Sequence, residues 1–502
     1  MSSNQSALPV IIVLTPLLTS FVLPVLGWWR RAAVFPTALA ALAVSFGASL
    51  AAAHRVSTHG PIRYYMGGWE PPWGIELHID GLSALMLFLI GFVTVVVGVY
   101  SKRSVLREIP SREVPFYSVY LLLVGGLAGL VSTADMFNLY VFLEIVSLTS
   151  YALVSIGGGP AVVSAFRYVI LGTVGAAFYL LSVAYLYSVT GTLNMADLAT
   201  ILPALYDSNA VLVGFAFFVI GMSIKMALFP MHAWLPGAYS NAPSAVSALI
   251  AGTTTKVAAY VLIRVMFFVF EPSFSIEQIP VTALLAWMGA IAMVLGSVMA
   301  IAQTNLKRML AYSSVAQIGY IVLGVGLANT AGFTGSVLHL VNHAVMKGGL
   351  FLVAGAIVYQ TGTRDIRQFA RLSVTMPWTA AAFTTFAFAM IGIPPTGGFF
   401  SKLYLILGAI DAGQWVFVFV IVLSSVLALA YLMNVIRYMY FATPASPEPP
   451  ADLRKPEPGQ PLPASMLVPM LVTAVGIVLL GLFNGEIVAR FIDPVIPASL
   501  VR

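Results

Sequence analysis

Apolar runs of roughly 18 residues or more recur along this chain from Leu8 to Leu482, separated by short polar breaks. A run of that length with few charges spans a bilayer; it does not fill a soluble core. Of 502 residues, 60% are apolar and 8% charged, against about 45–50% and 25% in soluble domains. A soluble fold is excluded. The chain has no cysteine, which removes disulfides, thiolate-held iron–sulfur clusters, covalent c-type haem and a thiol nucleophile.

A span needs about 20 mostly apolar residues to cross about 30 Å of hydrocarbon. That ruler places segments at 7–27, 33–53, 80–100, 114–133, 134–156, 164–188, 211–229, 242–268, 281–302, 308–327, 331–359, 377–410, 413–441 and 465–484. The expectation is an all-α polytopic membrane protein of about fourteen helices. The first segment lacks a charged leader and a small-residue cleavage site, and reads as a retained span. With the N-terminus outside, fifteen cations fall on the inner side, Lys307 and Arg364 among them. Five fall outside: Arg55, Arg63, Arg264, Arg490 and Arg502. The positive-inside rule then puts both termini outside, in a cell membrane. The polar 442–464 stretch, rich in proline, reads as an inward-facing linker, and the GGWEPPWGIELHID loop as outward-facing.

The four remaining cations, Lys225, Lys256, Lys347 and Lys402, all lie well inside apolar segments, and Glu144 is the one glutamate at mid-span. Each charge at the bilayer centre costs about 2.5–3.5 kcal/mol even on the lenient insertion scale. Pairing, hydrated cavities or loss of a lysine proton would offset that cost, and a proton pathway needs all three. Burial favours the neutral amine and an adjacent carboxylate the ammonium, so a lysine held between them can load and unload a proton. Arginine cannot do this. The bland alternative is a snorkelling lysine or a static ion pair.

Prolines interrupt two of the lysine-bearing segments. Pro230, Pro236 and Pro243 follow Lys225, and Pro394, Pro395, Gly397 and Gly398 precede Lys402. Spans seven and twelve are therefore expected to be broken, and irregular backbone at that depth lines polar cavities or ion sites; an ordinary proline kink is the competing reading. His339, His343 and Lys347 recur at spacing four on one helix face, open to three readings: a hydrated proton relay, a satisfied structural stripe, or haem ligation. His232 is the other intramembrane histidine. Thr253, Thr254 and Thr255 beside Lys256 either bond the helix backbone or line a water chain. There is no phosphate-binding glycine motif and no HExxH, so neither a metal nor a cofactor is expected.

An internal repeat is visible. An offset of 171 superposes Thr190-Gly191-Thr192 on Thr361-Gly362-Thr363, and the run from Asn138 resembles that from Asn305. The domains expected are 1–113 with three spans, a five-helix bundle over 114–270, a second copy over 281–441, the linker 442–464, and 465–502 with the last span. An odd number of helices per copy makes the second copy inverted relative to the first.

Four stretches carry a resemblance: KMALFPMHAWLPGAYSNAPSAVSALIAGTTTKVAAYVLIR (225–264), NLKRMLAYSSVAQIGY (305–320), NHAVMKGGLFLVAGA (342–356) and GIPPTGGFFSK (392–402). With the isolated Glu144, they resemble the antiporter-like subunits of respiratory complex I, membrane-bound hydrogenases and Mrp-type sodium/proton antiporters. The resemblance implies a proton channel in which Glu144 pairs with Lys225, Lys256 is the central relay and Lys402 the far one. His339, His343 and Lys347 would join the halves. It also implies other membrane subunits as partners, with protons and sodium as the candidate ions, and no nucleic acid. Lys402 and the 67–86 stretch look most like the D subunit of an Mrp-type antiporter; a complex I or hydrogenase subunit is the alternative. A redox-active subunit with its own haem or quinone pocket and a self-sufficient solute transporter are the readings from other classes.

Overall fold

The computed structural model describes residues 6–442 and 461–500. Most of the expected linker, with Arg454 and Lys455, therefore lies outside the described residues, as does Arg502. The chain opens with α1 (Leu8–Trp29) and α2 (Arg31–His59), followed by a hairpin of β1 (Ile62–Tyr65) and β2 (Glu76–Ile79). Next come α3 (Gly81–Glu108), α4 (Glu113–Ser132), α5 (Met136–Ser155), α6 (Pro160–Thr190) and the short α7 (Met195–Ile201). The seventh segment is the pair α8 (Asn209–Lys225) and α9 (Leu235–Asn241), and the eighth is α10 (Ser244–Gly252) and α11 (Thr254–Phe268). Then follow α12 (Val281–Ile301), α13 (Leu306–Leu327), α14 (Thr330–Thr361) and the single turn α15 (Leu372–Thr375). The twelfth segment is α16 (Pro377–Ile391) and α17 (Gly397–Asp411), and α18 (Trp415–Phe441), α19 (Ala464–Leu482) and α20 (Asn484–Ile487) complete the chain.

Among the described residues, twelve helices are long and apolar enough to cross a membrane, with Ser244–Phe268 taken as one. The expected seventh and twelfth segments are the interrupted pairs α8/α9 and α16/α17, whose members are shorter. Three features differ from expectation. The loop between α2 and α3 pairs its ends as a two-stranded antiparallel hairpin, Ile62 opposite Ile79 and Tyr65 opposite Glu76. The eighth segment, expected as one helix, breaks at Thr253, where φ −126° and ψ −64° leave the helical region. Arg264 and Lys307, expected at helix ends and in loops, are both buried.

Helix ends follow local chemistry. Asp80, Asp135, Asn305 and Asn329 each accept a backbone N–H three residues on, at 2.6–3.1 Å, capping α3, α5, α13 and α14. Gly191 and Gly362 end α6 and α14 in the left-handed region, φ 69° and 75°, where glycine carries no Cβ penalty. After these two ends the chain returns to a helix start by an isolated bridge, Asp135 with Asn194 and Asn305 with Asp365. The Thr-Gly-Thr recurrence in sequence is thus a recurrent turn in space.

Helices α12 and α13 pack backbone to backbone. A Cβ on Gly289 would meet the Gly319 carbonyl oxygen at 2.7 Å, and one on Gly319 the Gly289 oxygen at 2.5 Å. Between membrane helices, where lipid removes the hydrophobic drive, such close approach is what packing can supply. The tail folds back on the bundle, with the Thr330 hydroxyl donating to the Leu500 carbonyl at 2.9 Å.

Candidate proton pathway

The seventh segment leaves the helix after Lys225: Ala227 takes φ 60°, and the backbone turns until α9 begins at Leu235. Lys225 is the last residue of α8 and lies at its carbonyl end. Its ammonium donates to the Ser147 hydroxyl on α5 at 2.6 Å and lies 3.8 Å from Glu144 Oε1. The pair is a charge contact without a hydrogen bond, and Oε1 has no hydrogen-bond partner. The Glu144 side chain is 30% exposed, its partner's 7%.

The break at Thr253 does the same for Lys256. Its ammonium reaches back to the Ala251 carbonyl at 2.5 Å, at the end of α10, with Thr255 Oγ1 at 3.3 Å. The threonine run divides its work: Thr253 and Thr254 return their hydroxyls to Leu249 and Ile250 carbonyls, while Thr255 faces Lys256 and the Tyr239 hydroxyl at 3.4 Å. In the twelfth segment Gly392 takes φ 97°. Lys402, on the far side of that break, reaches back to the Met390 and Ile391 carbonyls at 2.9 and 3.0 Å and to Ser425 at 3.0 Å. Three buried lysines therefore sit at carbonyl ends of interrupted helices, where the macrodipole favours a cation. Pro230, Pro394 and Pro395 lie within the breaks, and Pro236 opens α9.

Along α14 the remaining expected residues line up. His339 and His343 stack with ring centroids 6.1 Å apart. His339 is held on both nitrogens, Nδ1 with Ser401 and Nε2 with Gln317, each at 2.9 Å. An iron ligand would need one of those nitrogens free. His343 is fully buried and neither ring nitrogen has a hydrogen-bond partner; Lys256 and Lys347 both lie within reach of its charge. Lys347 donates to the Leu310 carbonyl at 2.9 Å and to the Ser313 hydroxyl. His232 stands apart in the seventh-segment break, stacked on Phe229 at 5.2 Å, and is not brought to this chain of groups.

Through the two histidines, Lys256, Lys347 and Lys402 lie within reach of common charge, and Glu144 and Lys225 form a contact of their own; the expectation orders them as one axial series, Glu144 and Lys225, then Lys256, then Lys347, His343 and His339, then Lys402. Sequence reading missed the groups that hold it. Ser147, Ser313, Gln317, Tyr320, Ser401 and Ser425 contact the titratable side chains, and the Lys402 ammonium lies 4.7 Å over the Tyr320 ring. Their signal was present: Ser313, Gln317 and Tyr320 fall at spacings of four and three on a span otherwise apolar.

Gly398 makes the twelfth-segment break possible, since a Cβ there would lie 1.9 Å from the Ala389 carbonyl oxygen. Gly398→Ala is expected to force the two halves apart and lower the melting temperature of the purified protein by several degrees. An unchanged melting curve would show that the backbone yields without cost.

A helical membrane bundle with buried, linked lysines, a glutamate and histidines defines the class of ion-translocating membrane subunits. Residues 133–428 match the family described as "NADH:quinone oxidoreductase/Mrp antiporter, TM", and the chain belongs to it. It is 46% identical over 502 residues to the N subunit of the NADH-quinone oxidoreductase of Desulforudis audaxviator, covering 98% of this chain and 99% of that one. It is 31% identical over 441 residues to the D subunit of the Na(+)/H(+) antiporter of Alkalihalophilus pseudofirmus, covering 86% of each. In fold it is similar to a chain of the Mrp complex from Dietzia sp., with TM-score 0.88, 28% identity and 98% of both chains covered.

Proposed function

We propose that this chain moves protons along the axial series as one subunit of a multisubunit Mrp-type cation/proton antiporter. The observation that carries the reading is the placing of Lys225, Lys256 and Lys402 at carbonyl ends of interrupted helices, with His339, His343 and Lys347 between the last two. A proton on one ammonium is stabilised by the helix end beneath it. Opening or closing the Glu144–Lys225 contact changes the charge felt by that lysine and drives its proton toward Lys256.

In this reading the interrupted pairs each count as one crossing, giving fourteen, with both termini outside. Residues 114–270 and 281–441 are the two inverted five-helix units; the matched turns at Gly191 and Gly362 and the matched bridges support that division. Glu144 lies on one outward stripe of α5 with Phe137, Val141 and Leu148, exposed by 46%, 41% and 62%. A carboxylate facing lipid there is costly, so a neighbouring membrane subunit covers that stripe.

A second assembly, the membrane arm of an NADH:quinone oxidoreductase-type complex, is favoured by the 46% identity over the whole chain to the N subunit of such an enzyme. Purification through a tag on this chain, with mass spectrometry of what accompanies it, separates the two: hydrophilic flavin or iron–sulfur subunits would select the second. For transport itself, Lys256→Ala and Lys402→Ala in reconstituted complex are each expected to lower proton flux at least tenfold. Wild-type flux in both would refute the pathway.

A further inference from the structure

We propose that Glu108 and the buried Lys307, with the cavity beside them, form a proton inlet at the junction of the two halves that loads the axial series. The inference rests on the transport reading above and concerns where protons join it.

Lys307 belongs to none of the groups in the axial series, yet it is fully buried at the start of α13. Its ammonium donates to the Ala242 carbonyl at 3.2 Å, in the turn between α9 and α10. Glu108, at the end of α3, closes the same turn from the other side. Its carboxylate accepts from the Ser244 backbone N–H at 2.9 Å, the Ser244 hydroxyl at 3.2 Å and the Ser104 hydroxyl at 2.6 Å. Lys307 and Glu108 lie within reach of each other's charge, with Arg364 as the opposing cation. A cavity of about 210 Å³ adjoins Glu108 and the Ala242 turn that Lys307 bonds, lined by Arg107, Glu108, Asn241, Pro243, Tyr359 and Arg364. Arg107 stacks at 4.4 Å over the Tyr359 ring, and Arg364 donates to the Ser240 carbonyl at 3.2 Å. Glu108 is partly exposed while Lys307 is closed off behind it. A carboxylate that meets water stands before an amine that does not.

One turn beyond Lys307 along α13, about 5 Å, the Leu310 carbonyl accepts from Lys347, Ser313 and Ser314 together. A proton taken from water by the Glu108 carboxylate passes to the neutral Lys307 amine, which becomes an ammonium and restores the carboxylate. Lys307 then releases it past the Ser313 and Ser314 hydroxyls to Lys347. No electrons move and no co-reactant is needed.

The test uses the assembled complex in vesicles carrying a pH-sensitive dye. Glu108→Gln and Lys307→Met are each expected to lower proton flux about tenfold. Glu108→Asp is expected to restore much of it. Lys307→Arg is not, because a guanidinium keeps the charge but does not release the proton. Wild-type flux in Glu108→Gln and Lys307→Met, with Lys225→Ala inactive, overturns the inlet and leaves the transport reading standing. Wild-type flux in Lys225→Ala as well removes the transport reading itself. Wild-type flux in Lys307→Arg reduces the lysine to a static charge and also overturns the inlet. Access is checked independently of those variants, because the chain has no cysteine. Asn241→Cys should react with a membrane-impermeant maleimide from one face, and the adduct should block flux. Absence of labelling from both faces, or labelling without a block, counts against the inlet even where the charge variants fail to assemble.

Discussion

Lys225→Ala is expected to abolish proton flux through the assembled complex while leaving the complex intact, and Lys225→Arg is expected to be equally inactive. The alanine removes the ammonium that donates to Ser147 at 2.6 Å and faces Glu144 at 3.8 Å. It leaves a small void at the end of α8, where the broken backbone already departs from helix, so folding is expected to tolerate it. The arginine is the decisive variant. It preserves a cation beside Glu144 but cannot give its proton up, so a merely electrostatic or structural lysine would be rescued and a proton carrier would not. Glu144→Gln, which keeps the shape and removes the charge, is expected to slow flux at least tenfold. Its effect measures how far the carboxylate sets the proton affinity of the lysine. Flux would be followed by dye quenching in vesicles, and assembly by size-exclusion chromatography in detergent. Full transport by Lys225→Arg would sink the proton-carrier role.

The second large effect concerns stability. Arg264 makes two hydrogen bonds to the Asp80 carboxylate, each 2.6 Å, and further bonds to Ser83 and Tyr260, all buried. Removing one partner of a buried pair costs about 3–5 kcal/mol, because the other charge is left uncompensated. Asp80→Asn isolates that cost, since asparagine still caps α3 at Ser83. The melting temperature of the purified complex should fall accordingly, while the double variant Asp80→Asn with Arg264→Met should recover most of the loss. Burial raises the Asp80 carboxyl, but the Arg264 guanidinium beside it outweighs burial and holds it well below the usual carboxylate range. Because the folded group is depressed, its stabilisation is complete above the unfolded value of about 3.9 and is lost as pH falls through the folded one. Acid sensitivity below about pH 4 should therefore be blunted in Asp80→Asn. A melting temperature unchanged by that variant would show that the pair does not anchor the hairpin end of α3.

Much of the site was legible because charge in a membrane is conspicuous. Four lysines and one glutamate inside apolar runs needed no structure to be noticed, and the proline clusters marked two of the breaks. The third break was quieter. A single glycine, Gly252, precedes Thr253 with no proline beside it, and the departure from helix shows in the Lys256 ammonium that satisfies the Ala251 carbonyl. The burial of Arg264 and Lys307 was hidden from the sequence for a related reason. Both lie near the ends of apolar segments, where a cation reads as a loop residue, and each is buried by a partner distant in sequence, Asp80 and Ala242. The hairpin was hidden in the same way, because its pairing joins β1 to β2 across a loop of prolines and tryptophans.

The sequence by itself determined the solvent and singled out the buried lysines and Glu144 with two of the helix breaks, because transfer free energy and helix-breaking backbone chemistry are properties of local residues. Only the tertiary structure decided how those groups are joined. Lys225 meets Ser147 across 78 positions and His339 meets Ser401 across 62, and the same packing leaves Glu144 at the outer face while closing Lys307 inside. Such contacts depend on which helix faces pack together, and one span's own pattern of apolar residues, nearly uniform around the helix, does not specify that.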